Sequence, residues 1–257
     1  MLFFKKVMLY LLISLPSFYS FAFTEDESVA VGSYLVPGMV QVDGNGMFDK
    51  LNALVFSKID TSYTLVTEPI HRIRKSLKDG HVDTYFPELW ENLPGEKSDY
   101  VISSPIFYKK IILFTLNNSG IYSLKDLESL LVGAVSGFSY GTDIIENPNL
   151  NILYQRDDSI NIRLLANGRL DGVLGGFPGT VIAVNNSEYK HRIQYDLTKP
   201  VAVLESFYVC PNTPAGRVLC DKISRGIEAL QADGILLLDH TTGSSKFNPP
   251  KNIDGSL

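Results

Sequence analysis

The pattern Leu-x-x-Gly-x-x-Asp occurs twice with identical spacing, at Leu77-Lys78-Asp79-Gly80-His81-Val82-Asp83 and at Leu165-Ala166-Asn167-Gly168-Arg169-Leu170-Asp171, 88 residues apart. In each copy an amphipathic helical run closes at the Gly, and a strand opens at the Asp. Gly suits that closing position because it adopts the left-handed conformation that ends a helix. One copy alone is a common helix-to-strand connection. Two copies imply two lobes of similar build.

The runs around these copies alternate in period, which predicts an α/β architecture with largely parallel sheets flanked by helices. Val29 to Tyr34 reads as the first strand, and Phe48, Leu51, Leu54 and Val55 as one face of the first helix. Tyr63 to Val66 is the next strand. Ile70, Ile73 and Leu77 recur at helical spacing before Gly80, and Val82 to Phe86 resumes a strand. Ser123-Leu124-Lys125-Asp126 resembles a capping box at a helix start. Val132 to Val135 is a strand, the Gly137 to Gly141 turn feeds a helix, and Ile160, Ile162, Leu164 and Leu165 lie on another before the strand Asp171 to Leu174. Asn212 or Thr213 caps a helix with Pro214 in its first turn and Leu219, Ile223, Ile227 and Leu230 as its apolar stripe. The tail from Thr241, rich in Gly, Ser, Asn and Pro, reads as loose.

Residues 1–22 read as a secretory signal peptide: Lys5 and Lys6, an apolar run from Val7 to Phe21, and the small residues Ser20 and Ala22 before cleavage. An uncleaved anchor fits less well, because Pro16 interrupts a run of about 15 apolar residues, short for a span. Cleavage takes the formal charge from −5 to −7. That acidic balance argues against a face that neutralises nucleic-acid phosphates. No cysteine near the cleavage site could accept a lipid anchor. Cys210 and Cys220, the two cysteines of the chain, read in an exported protein as one disulfide. Their ten-residue spacing is not a Cys-x-x-Cys redox motif, and zinc ligands to accompany them are missing.

Together these pieces resemble the family 3 periplasmic solute-binding proteins, the type II fold that includes polar amino-acid-binding components of ABC importers. The residues that carry the resemblance are Val29-Ala30-Val31-Gly32, Asp43-Gly44-Asn45-Gly46-Met47-Phe48-Asp49, the two Gly-x-x-Asp turns, and Ile102-Ser103-Ser104-Pro105-Ile106-Phe107-Tyr108, similar to the family's Phe-Ser-x-Pro-Tyr segment. The family layout implies lobe 1 at residues 23–111 plus 204–257 and lobe 2 at 112–203, with crossings near Ile111 to Leu116 and Val203 to Ser206. Ligand would sit in the cleft between them and favour hinge closure. The family precedent is a monomer without a cofactor.

Family members that bind α-amino acids carry an Arg shortly before the Phe-Ser-x-Pro segment and an Asp about five residues after the second Gly-x-x-Asp. Here those stretches are Gly95-Glu96-Lys97-Ser98-Asp99 and Gly175-Gly176-Phe177, so both charge partners are missing. An ammonium buried without a carboxylate is costly, which disfavours a standard amino-acid ligand. The candidates for a different, anionic ligand are Arg72, near the head of a helix, and Ser139 and Tyr140, at the turn before another. Tyr34, Tyr85 and Phe86 end strands and could sandwich an apolar body. Gly175 and Gly176 would allow close backbone approach. The structural alternatives are a solvated Arg beside Arg74 and Lys75, core aromatics, and ordinary Gly-rich turns.

No catalytic constellation is visible, and His71, His81, His191 and His240 are scattered without metal-ligand spacing. The sequence reading is therefore a non-enzymatic binding protein that presents a small polar, anionic solute to a membrane permease. The alternatives are delivery to a chemoreceptor or sensor kinase, a paralogue that has lost its ligand, and a periplasmic enzyme resembling the cyclohexadienyl dehydratases. The enzyme would need a cleft acid, with Glu88 and Glu96 the nearest candidates.

Overall fold

The computed structural model describes residues 28–36 and 39–250; the expected signal segment and its cleavage site lie outside them. The first half builds β1 (Val29–Ser33), α1 (Met47–Lys58), β2 (Tyr63–Thr67), α2 (Ile70–Lys78) and β3 (Thr84–Leu89), then β4 (Tyr100–Ile102) and β5 (Phe107–Leu116). The second runs β6 (Leu131–Val135), α3 (Thr142–Ile145), β7 (Asn151–Gln155), α4 (Asp158–Ala166), β8 (Gly172–Gly176), α5 (Gly179–Asn185) and β9 (Ile193–Gln194). The chain returns on β10 (Ala202–Pro211), α6 (Pro214–Ala232) and the β11 (Leu236–Asp239) and β12 (Ser244–Phe247) hairpin.

The halves share one topology. Strand order is β2-β1-β3-β10-β5-β8-β6-β7, with β1, β2 and β3 parallel to one another, β6, β7 and β8 likewise, and β10 and β5 antiparallel to their neighbours. Each three-strand parallel unit thus carries one antiparallel strand facing the other half. Core packing follows the same division. Phe48, Val55, Phe86, Tyr208 and Ile227 belong to one buried cluster and Ile73, Tyr85 and Val209 to a second, on the first unit. Ile111, Leu127 and Leu174 belong to a third, and Phe114, Leu165 and Val173 to a fourth, on the other.

The repeated sequence pattern has one structural meaning in both places. Gly80 at φ +74° and Gly168 at φ +66° close their helices in a Schellman motif: His81 N donates to Ser76 O and Arg169 N to Leu164 O. Three residues on, Asp83 Oδ2 accepts from Ala30 N at 2.8 Å, and Asp171 Oδ2 accepts from Leu131 N at 2.8 Å. The return bonds run from Asp83 N to Ala30 O and from Asp171 N to Leu131 O. Each aspartate therefore ties the third strand of its unit to the start of the first.

Four details differ from the sequence reading. The strand expected from Val82 begins at Thr84. The capping-box segment forms one 3-10 turn, Lys125–Leu127, in which Asp126 accepts from the backbone of Tyr122 and Ser123; burial of Leu127 and the nearby start of β6 leave no room for a helix. Residues 241–247 of the tail are not loose: Asp239 Oδ1 accepts from Thr241 N and Thr242 N, turning Ser244–Phe247 back onto β11, and Phe247 packs on the first core cluster, while residues 251–257 of the tail lie outside the described residues. The Cys210–Cys220 disulfide is not formed. Both are buried free thiols, with Cys210 Sγ 3.4 Å from Thr84 Oγ1 and Cys220 Sγ 3.5 Å from Val101 O, so each finds a local acceptor without the covalent link. Cys210 beside it, together with burial, pushes the Cys220 thiol far above its usual range. Among the described residues no helix is long and apolar enough to cross a membrane.

Replacing Asp83 or Asp171 by Ala removes one charge-assisted bond to a strand N–H and is expected to cost about 1 kcal/mol each. The sites share no partner, so the losses should add in the double variant. Urea unfolding measures this, and Asn at either position, which keeps the acceptor, should recover most of the loss.

Candidate functional site

A cavity of about 470 Å³ is bounded by both halves. Tyr34 to Val36 and Met39, after β1, and Pro87 to Leu89, at the end of β3, form one wall. Gly137, Phe138 and Ser139, after β6, and Phe177, after β8, form the facing wall. Phe107 and Lys109 of β5 and Ser206 of β10 line it from the strands that join the halves. The cavity therefore lies at the C-terminal ends of the parallel strands, where open α/β sheets place ligands.

Two charged groups reach it. Glu88 is buried, and its Oε2 accepts from Arg74 Nε (2.8 Å), Arg74 Nη2 (2.7 Å) and the Tyr85 hydroxyl (3.0 Å), while Oε1 accepts from Leu89 N (2.9 Å). Arg74 matches this charge, so Glu88 adds little net charge to the cavity. Burial, reinforced by Glu88, pushes the Tyr34 hydroxyl up to about 12, which keeps it a neutral donor.

Lys109 is the opposite case. Its Nζ donates to Ser139 O at 3.0 Å and lies 5.4 Å from the centre of the Phe138 ring, and it forms no ion pair among the described residues. Burial lowers its pKa, opposed by the more distant Glu91. An ammonium offers three N–H donors, and one carbonyl leaves the others facing the cavity. Ser139 also donates its hydroxyl to Asn92 Oδ1 across the cleft, so β5, the β6 turn and the end of β3 meet at one point.

Of the residues singled out in the sequence, Tyr34, Ser139 and the candidate acid Glu88 line this cavity. Tyr85 and Phe86 are wholly buried, Tyr85 bonded to Glu88 and Phe86 stacked on Tyr208 with centroids 4.6 Å apart. Tyr140 is core, its hydroxyl oxygen accepting from Val135 N at 2.7 Å. Gly175 serves packing, since a Cβ there would stand 2.4 Å from Thr180, whereas one at Gly176 would contact Lys109 Cε at 3.6 Å. Arg72 is exposed on α2 and does not line the cavity; Arg74, two residues on, points inward instead. Glu96 is exposed and outside it. Sequence reasoning missed Lys109, Asn92, Phe107, Phe138 and Phe177. A signal existed for Lys109: it and Lys110 interrupt the otherwise uncharged strand Phe107–Leu116, and period-2 alternation puts Phe107 and Lys109 on one face.

Among the described residues no group of three or more His, Cys, Asp and Glu is placed to hold a metal ion. No protein-family model and no curated protein sequence matches the chain. Solved structures do. The L-cystine solute receptor of Neisseria gonorrhoeae, unliganded and open, is similar at TM-score 0.59 and 17% identity over 80% of this chain and 88% of that one. The GluR0 ligand-binding core of Nostoc punctiforme with L-glutamate is similar at 0.54 and 18%, over 80% and 94%. A histidine kinase sensor domain with similarity to periplasmic binding proteins is similar at 0.55 and 15%, over 81% and 92%. At these identities the likeness is one of fold: the chain has the two-lobed α/β fold of the periplasmic binding proteins.

Proposed function

We propose that this protein captures a small organic anion in the interlobe cavity and presents it to an ABC-type permease. The observation that carries the reading is Lys109, a partly buried ammonium with one carbonyl acceptor and no carboxylate partner among the described residues. A carboxylate of the ligand would supply the missing acceptors, where a charge-assisted bond is strong because water is excluded. Ser139 and Tyr34 offer hydroxyls beside it, and Phe107, Phe138 and Phe177 an apolar surround. The cavity offers no unpaired carboxylate among the described residues to a ligand ammonium, because Arg74 already matches Glu88.

The lobes in this reading are residues 23–111 with 204–257 and residues 112–203. Export through a cleaved signal peptide would place the protein in the periplasm, as a monomer. Cys210 and Cys220 stay reduced in this reading. Thiol titration of the denatured protein should find two free thiols, and finding none would contradict it.

Delivery to a sensor kinase is the second reading, supported by the fold shared with the histidine kinase sensor domain. The dehydratase-like reading lacks its acid. Both oxygens of Glu88 already accept hydrogen bonds, and Glu96 lies outside the cavity.

The test is thermal unfolding with di- and tricarboxylates, amino acids, sugars, polyamines and nucleosides. An anion at 100 times its Kd stabilises by about 2.7 kcal/mol. Lys109→Met should abolish that gain while raising the ligand-free Tm, because it removes a charge that burial disfavours. Arg72→Ala should leave the gain intact. Stabilisation by anions that survives Lys109→Met, or stabilisation by α-amino acids alone, would refute the reading.

A further inference from the structure

Two depressions on the outer surface of the first half meet at Tyr100. One, of about 580 Å³, is walled by His71, Arg74, Lys75 and Lys78 of α2, with Pro94 and Pro211 opposite. The other, of about 600 Å³, is lined by Trp90, Val101, Ile102 and Arg217. The chain's single tryptophan is 41% exposed here and Ile102 36%, although both could have been core residues.

Charge is concentrated in the same place. The chain carries a net −5, yet α2 holds His71, Arg72, Arg74, Lys75 and Lys78 without one acid in its nine residues. Lys75 pairs with Asp79 and Arg74 with Glu88, while Lys78 and Arg217 form no ion pair among the described residues. Asp99 and Asp221 are the acids on the lining. The two depressions, which share Tyr100, are therefore cationic along α2, and beside apolar Val101 and Ile102 the Trp90 ring has Lys97 Nζ 5.5 Å from its centre.

The groove backs directly onto the cleft. Arg74 lines the groove while its guanidinium holds Glu88, a cleft wall. Trp90 shares one 3-10 turn with Asn92, which accepts from Ser139 across the cleft. A partner seated in the groove would touch the outer side of two cleft elements.

We propose that this groove is a docking surface for an acidic segment of the partner protein that also carries apolar side chains. The proposal rests on the binding-protein reading above for there being a partner. Carboxylates would meet Lys78, Lys75 and the free edge of the Arg74 guanidinium, and apolar side chains would cover Trp90 and Ile102. A recessed, two-sided groove fits an extended chain better than it fits a flat lipid surface.

Emission of the single tryptophan reads occupancy directly. Titrating the protein with a peptide of alternating glutamate and leucine should shift and saturate that emission, with affinity that falls as salt rises. Lys75→Glu with Lys78→Glu, both at exposed positions, should weaken binding at least about tenfold. An equal response to the lysine–leucine peptide, no response at ~1 mM glutamate–leucine peptide, no effect of the charge reversal, or a response confined to phosphatidylglycerol vesicles would overturn the proposal. Lys109→Met separates the two readings. It should lose anion binding and leave the peptide titration unchanged; in the unsubstituted protein, peptide binding without anion binding sinks the cleft reading alone, and anion binding without peptide binding sinks the docking surface alone.

Discussion

Two antiparallel strands make the rest of the structure possible. Residues 107–111 of β5 pair with residues 202–206 of β10, after which β5 continues along β8 and β10 continues along β3 and β4. Each strand thus belongs to both halves. Strands paired this way resist shear yet twist, so the halves keep one relative register while the gap between their strand ends stays open to solvent and ligand. The same pairing fixes what faces the gap. Ser206 lies opposite Phe107, and alternation then puts Lys109 on the cleft side and Tyr108 on the other, against His240.

Lys109 carries the functional argument because burial and charge pull in opposite directions there. A folded protein gains nothing by desolvating an ammonium with a single carbonyl acceptor. In the proposed reading an anion completes the arrangement, with Phe107, Phe138 and Phe177 as apolar neighbours. Glu88 shows the contrast: it is more deeply buried, but Arg74, Tyr85 and its neighbour's N–H satisfy it within the fold. At the cavity the charge contributed by the first half is thus balanced, and the imbalance sits on the crossing strand.

The architecture was legible in the sequence because each unit repeats the same local chemistry. Gly80 and Gly168 end helices by backbone conformation, which spacing alone implies, whereas the bonds of Asp83 to Ala30 and of Asp171 to Leu131 join segments far apart in the chain and needed the fold. Thr213 likewise caps α6 by accepting from Gly216 N at 3.0 Å. The site was less legible, since it depends on which side of each strand end faces the other half. Tyr34 and Tyr85 both lie near strand ends, yet one lines the cavity and the other is core. Arg72 and Arg74 differ by two positions on α2, which is enough to turn one outward and the other toward Glu88. Lys109 needed the β5–β10 pairing to be interpreted at all.

The most direct test of the account is the proton balance of anion binding, measured by calorimetry in buffers of different ionisation enthalpy. Burial holds the Lys109 pKa below its ordinary value in the ligand-free protein, and a bound anion would raise it. As pH rises through the ligand-free Lys109 pKa, binding should therefore take up a proton, affinity should fall, and both effects should vanish in Lys109→Met. Anion binding without proton uptake, or uptake that persists in Lys109→Met, would contradict the central claim.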